Sequence, residues 1–344
     1  MRTLASPDDR PIPSIGDSTA WRLIILAGTL AFAGLVSLST GPAQLSSTSL
    51  LEALTGAGDA SARTIVLQLR LPRTLLAVIV GGGLATSGAA FQALLRNPLA
   101  EPYVLGVSGG AAVGAVAGIV SGIAAASTWA LPLTSFAGAI LTIVLVFWIA
   151  VRVGRGFDSR VLLLAGVVVG AFFNALILLL LTYSDSDSFR SAIFWMMGNL
   201  AVADWSDTLI VAAYILPMVA TLIALARGFN LLTMGDETAT YLGVRVERLK
   251  TAAYVVASLI VAAAVAVSGV IGFIGLIVPH GLRLVWGGDH RFLLPGCFLA
   301  GGAFLVLTDT VARTVVAPGE LPIGVITALA GVPLFVFLLT RSLR

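Results

Sequence analysis

Apolar residues run along this chain in long blocks joined by short polar connections, without the period-two alternation of barrel strands. Ten blocks, at about 21–39, 73–95, 103–123, 129–151, 161–183, 207–226, 250–270, 272–286, 292–312 and 323–340, approach the roughly 20 residues that a spanning helix needs. Lipid offers backbone N–H and C=O groups no partners, so each block is expected to be helical. The predicted fold is an all-α polytopic membrane protein with about ten transmembrane helices. Residues 1–20, with Pro7, Pro11 and Pro13 among Asp8, Asp9 and Asp17, read as a cytosolic tail, too polar for a secretory signal. Residues 21–344 form the transmembrane domain. The eighth block is short and interrupted by Pro279, so 268–289 is expected to be a bent or partly re-entrant pair.

Composition closes off other classes. With 58% hydrophobic and 11% charged residues, against about 25% charged in soluble domains, no large soluble domain fits beside the spans. Lys250 is the single lysine among arginines, and no clustered charge offers a nucleic-acid footprint. The net charge of +3 suits loops facing anionic membrane lipid. With the N-terminus inside, all of the 20 basic residues except Arg63, Arg70, Arg73, Arg190 and Arg313 fall on the cytoplasmic side. That sorting predicts an even number of spans, both termini cytoplasmic, in a bacterial or archaeal inner membrane. Cys297, alone, can form neither an internal disulfide nor a cysteine metal cage and reads as a core residue.

Gly106, Gly110, Gly114, Gly118 and Gly122 recur every four residues and make a bare stripe along one helix. Close helix packing inside the subunit is the favoured reading over the lining of a path. Gly81 to Gly83 with Gly88, and Gly301 with Gly302, predict similar contacts. Catalytic spacings are absent, and His280 and His290 read as structural groups near span ends. A Walker A turn ends in Gly-Lys, and the one lysine follows Arg248 and Leu249, so ATP-driven work requires another chain. No cofactor and no metal are expected in this chain, with ATP and magnesium held by a partner ATPase. Scarce intramembrane charge argues against a stand-alone secondary transporter, the competing class. Asp309 is the main exception, with Arg313 four residues on as its simplest partner. Asn174 is a lone amide in the fifth span, either an interhelical contact or a polar point on a path. The longest inside connection, 227–249, holds a segment that Thr233 or Gly235 can start and Gly243 can end as a short helix. Leu232, Met234, Tyr241 and Leu242 would then be available to a cytosolic partner, although a simple connector fits the spacing equally well.

Three stretches resemble the FecCD-like permeases of type II, binding-protein-dependent ABC importers for iron chelates, haem and cobalamin. They are LRLPRTLLAVIVGGGLATSGAAFQALLRNPLAEPYVLGVSGGAAVG (Leu69 to Gly114), FWMMGNLAVADW (Phe194 to Trp205), and GFIGLIVPHGLRL (Gly272 to Leu284) continuing through LPIGVITALAGVPLF (Leu321 to Phe335). The resemblance implies ten helices per subunit and a second permease subunit, as a homodimer or close pair around a central path. It also implies two cytosolic ATPase subunits and an extracytoplasmic binding protein. Arg70 and Arg73 of LRLPR, and Arg313 of DTVAR, match outer arginines that pair with carboxylates of the binding protein. Asn97 and Leu99 resemble the cytoplasmic gate, whose second element would lie near Asp158 and Ser159. Gly235, Asp236, Glu237, Thr238, Ala239, Tyr241, Leu242 and Gly243 resemble the segment that couples to the ATPase. The implied cargo is a ferric siderophore or related metal chelate, with cobalamin or haem as alternatives.

Overall fold

The computed structural model describes residues 15–342 except 44, 57, 155, 156 and 202, so most of the expected tail lies outside the described residues. In chain order the α-helices are α1 (Ile15–Ser39), α2 (Ser47–Leu54), α3 (Ala60–Arg63), α4 (Leu71–Leu95), α5 (Val107–Val120), α6 (Ala130–Gly154), α7 (Ser159–Thr182), α8 (Ser186–Met196), α9 (Trp205–Ala224), α10 (Ala226–Thr233), α11 (Asp236–Tyr241), α12 (Val246–Ser268), α13 (Ile274–Trp286), α14 (His290–Ala312) and α15 (Ile323–Ser342). Among the described residues 7 helical stretches are long and apolar enough to span a membrane, and α5, α13 and α15 supply shorter apolar helices. These ten match the ten expected blocks.

The boundaries differ for local reasons. α1 starts at Ile15, inside the expected tail. The second span does not begin at 73. A π-helix over Thr64–Arg70 joins α3 to α4, giving one helical stretch from Ala60 to Leu95. The wider turn accommodates Pro72, which lacks a backbone N–H. α8 was not expected in the connection after the fifth span. It is started by Asp185, whose carboxylate accepts from the N–H groups of Asp187 and Ser188.

α4 is the central element, buried along nearly its whole length against α14, α12, α9 and α13. Its glycines permit this. A Cβ on Gly301 would lie 2.5 Å from both the Gly81 carbonyl oxygen and the Ala85 Cβ, so α14 and α4 touch backbone to backbone. The α5 stripe does the same with α6: a Cβ on Gly110 would come within 2.6 Å of the Gly138 carbonyl. Gly110, Gly114 and Gly118 thus pack on α6 and Gly106 on α7, within the subunit, while a Cβ on Gly122 would meet nothing within 4 Å.

The stretch 268–289 is broken, as the bent reading expected: non-helical backbone separates α12 from the short α13. α12 ends at Ser268, whose carbonyl accepts from Asn199 N–H, and residues 269–273 follow as irregular, non-helical chain. α13 begins deep in the bundle, where Gly275 packs against Pro102 and the Leu84 carbonyl, and runs to Trp286. Non-helical backbone at this depth must be paired inside protein. Tyr103 Oη donates to the Ile271 carbonyl and accepts from Ile271 N–H, and Glu101 Oε1 accepts from Phe273 N–H at 2.6 Å.

Two faces result. One carries the described residues between Thr40 and Arg70 and the 313–322 connection. The opposite face carries Arg96–Ala100, α10, α11 and the 287–289 turn.

Candidate functional site

On the first face Arg70, Arg73 and Arg313 converge, but not as free groups. Arg70 and Arg313 are only 5% and 4% exposed. Arg70 donates to the carbonyls of Leu38, at 2.6 Å, and Ala43, while Arg313 donates to Ser37 O and Ser37 Oγ. Arg73 lies between two carboxylates, with Nη2 2.8 Å from Asp309 Oδ1 and 2.9 Å from Glu320 Oε2. Arg70 and Arg73 therefore do not stand side by side as two free guanidinium groups. The change from π to α winding at residue 70 sends Arg70 toward the end of α1 and Arg73 toward α14. The expected Asp309–Arg313 pair exists at 3.6 Å, but Arg73 is the closer, bidentate partner.

On the opposite face Arg96 closes α4 in the left-handed region, and Asn97 starts a compact loop. Asn97 Oδ1 accepts from Leu99 N–H at 3.0 Å, leaving the Leu99 side chain 41% exposed. Ser159, in the second expected gate element, donates to the Leu94 carbonyl at 3.0 Å and so lies beside that loop. Asp158 caps α7 by accepting from Arg160 N–H.

The expected short helix is α11. Gly235, at φ 110°, is its N-cap, Asp236, Glu237, Thr238, Ala239 and Tyr241 lie within it, Leu242 is its C-cap, and Gly243 follows at φ 85°. Tyr241 is 91% exposed and Met234 and Leu242 also face outward, whereas Leu232 lies on the buried side of α10 and is withdrawn from the expected contact set. Packing of Phe229 and Leu232 against α14 and α4 explains why residues 226–233 form a helix instead of open connector. Beside α11 is a cleft of about 1220 Å³ lined by Arg96, Asp158, Ser159, Asp236, Thr240 and Arg245 among others.

Several site residues were not foreseen. Lys250, 3% exposed, donates to Asp236 Oδ2 at 2.5 Å, and Arg96 Nη2 is 3.4 Å from Asp236 Oδ1. Gln92 gives both amide hydrogens to carbonyls of Ala100 and Gly275 and accepts from Arg283 at 2.6 Å. A carboxylate in a chain this apolar was the available signal for Glu101. His290, the first residue of α14, is fastened through Nδ1 to Asn230 Oδ1 at 2.8 Å, a structural contact between α10 and α14. Asn174 is exposed on α7 and makes no hydrogen bond within the described residues.

The sequence profile of the FecCD transport family matches residues 29–341. The chain belongs to the FecCD transport family. A haemin transport system permease protein of Yersinia pestis, HmuU, is 44% identical over 281 residues, 81% of this chain and 84% of its relative. The vitamin B12 import system permease protein BtuC of Salmonella typhimurium is 41% identical over 286 residues, 83% and 86% of the two chains. A solved inward-facing conformation of a metal-chelate type ABC transporter superposes with a TM-score of 0.85 at 33% identity, covering 94% of this chain and 99% of that one. This FecCD chain is accordingly a multi-pass ABC importer permease.

Proposed function

We propose that this FecCD permease pairs with a second copy of itself and carries a metal chelate from a binding protein to the cytoplasm, powered by two separate ATPase subunits holding ATP and magnesium. The observation that carries the reading is α11: a short helix with its acidic first turn and Tyr241 exposed, on the same face as the Asn97–Leu99 loop. That face is cytoplasmic in this reading, and both termini lie there. Support comes from the basic residues, since Arg22, Arg96, Arg227, Arg245, Lys250 and Arg291 all fall on it.

The second subunit would cover α7, whose Leu164, Val168, Phe172 and Leu178 are exposed together with the unpartnered Asn174 amide. An unpaired amide in an apolar span is costly, and a facing subunit or a path lined in part by Asn174 removes that cost. Docking of the binding protein would centre on Arg73, which an incoming carboxylate reaches by displacing Glu320. Arg70 and Arg313 would serve there as a positively charged scaffold. This fits the structure better than three free guanidinium groups.

The cargo is a metal chelate. Ferric siderophore, haem and cobalamin all remain inside that class, and discrimination is assigned mainly to the binding protein, a reading that the small and apolar residues of the spans support. The test is to purify the binding protein encoded beside this permease and identify its bound compound by mass spectrometry and visible absorption. A tetrapyrrole, a corrinoid or a ferric siderophore supports the reading, and a sugar or amino acid contradicts it.

A further inference from the structure

Arg96 and Phe273 are the two described residues other than glycine that hold a positive φ, at 49° and 70°. Such conformations cost side-chain-bearing residues about 1–2 kcal/mol and persist where surrounding contacts impose them. The two lie at opposite ends of one connected path. At one end the Arg96 guanidinium meets the Asp236 carboxylate in the first turn of α11, and buried Lys250 shares that carboxylate. At the other, Glu101 accepts the N–H of Phe273, the residue from which α13 starts.

The chain between them is internally braced. Asn97 N–H donates to Gln92 O, Ala100 N–H donates to Asn97 O, and the Ala100 carbonyl accepts from the Gln92 side chain. Pro102 then packs on α13, where a Cβ on Gly275 would come within 2.7 Å of it. We propose that residues 96–101 are a strut that carries movement of α11 to the break in the eighth crossing, with Arg96 and Glu101 as the positioning residues at its ends. The strut thus links the coupling face to the middle of the membrane and moves α13 together with the Asn97–Leu99 loop. It rests on the reading of α11 as the ATPase contact.

The order of the parts gives the test. The full complex with its two ATPase subunits is reconstituted in lipid in a Cys297→Ala background, with single reporters Leu99→Cys, within the strut, or Gly281→Cys, on α13. Gly281 suits a reporter because a Cβ there meets nothing within 4 Å. Maleimide labelling rates are compared without nucleotide and with ATP and magnesium. Both reporters should respond by about fivefold or more, within the usual range of coupling between sites. Arg96→Gln should abolish both responses while ATP hydrolysis continues. Glu101→Ala should abolish the Gly281→Cys response and spare that of Leu99→Cys. Glu101→Gln, whose amide oxygen can accept the same N–H, should restore it. A normal Gly281→Cys response in Glu101→Ala, or a normal Leu99→Cys response in Arg96→Gln, overturns the strut. Absence of any nucleotide response with the strut intact overturns the ATPase reading of α11, and the strut with it.

Discussion

Replacing Asp309 by alanine should be among the most damaging single changes on the first face. The carboxylate is 1% exposed, takes Arg73 Nε at 3.0 Å and Nη2 at 2.8 Å, and lies 3.6 Å from Arg313 Nε. Without it, Arg73 keeps Glu320 as a carboxylate partner and Arg313 loses the carboxylate 3.6 Å away, among the described residues. Removing one partner of a buried pair costs about 3–5 kcal/mol, because the other charge stays buried and uncompensated. The Arg96–Asp236 pair is the internal control: its side chains are 46% and 39% exposed at 3.4 Å, and exposed pairs contribute about 0–1 kcal/mol. The assay is the fraction of detergent-solubilised protein that remains monodisperse in size-exclusion chromatography after heating. Asp309→Ala should fail at a clearly lower temperature than the native protein, and Arg96→Gln should not. The double variant Asp309→Ala/Arg73→Leu should recover much of the loss, since it removes the orphaned charge as well. Equal heat resistance of Asp309→Ala and Arg96→Gln, or a double variant weaker than the single, would refute the charge balance assigned to this cluster.

Other expected outcomes use the same heating assay and simple pull-downs. Gly110→Val should lose about 1–3 kcal/mol by forcing α5 away from α6, because the new side chain meets the Gly138 carbonyl and Thr142; unchanged heat resistance would contradict that close approach. Gln92→Leu should cost about 1–3 kcal/mol for each buried partner left unpaired, Arg283 and the Ala100 and Gly275 carbonyls being the candidates. Tyr241→Ala combined with Glu237→Ala should leave heat resistance native while reducing recovery of the ATPase with the permease, and full recovery would count against α11 as the contact.

The crossings were readable because each apolar block is longer than any soluble strand and is bounded by polar residues. The start of α11 at Gly235 and its end before Gly243 were readable for a related reason, since glycine marks both turns. Contacts between distant segments were not. Arg70 bonds backbone carbonyls of Leu38 and Ala43, and a carbonyl leaves no residue-type signature, so Arg70 read as a docking group for the binding protein. Asp309 had a sequence neighbour, Arg313, that masked its closer partner Arg73 in another helix. The break at 269–273 was signalled by a short block and Pro279, yet the proline lies inside α13 and the break precedes it. Its position is set by Glu101 and Tyr103, far away in the chain, which satisfy the backbone there.

The most direct measurement is uptake into proteoliposomes that contain the permease and its ATPase subunits, with the ligand-loaded binding protein outside and ATP with magnesium inside. Accumulation of the chelate that requires both ATP hydrolysis and the binding protein is the predicted result. Uptake that proceeds without the ATPase, or that follows an imposed ion gradient instead of ATP, would contradict it.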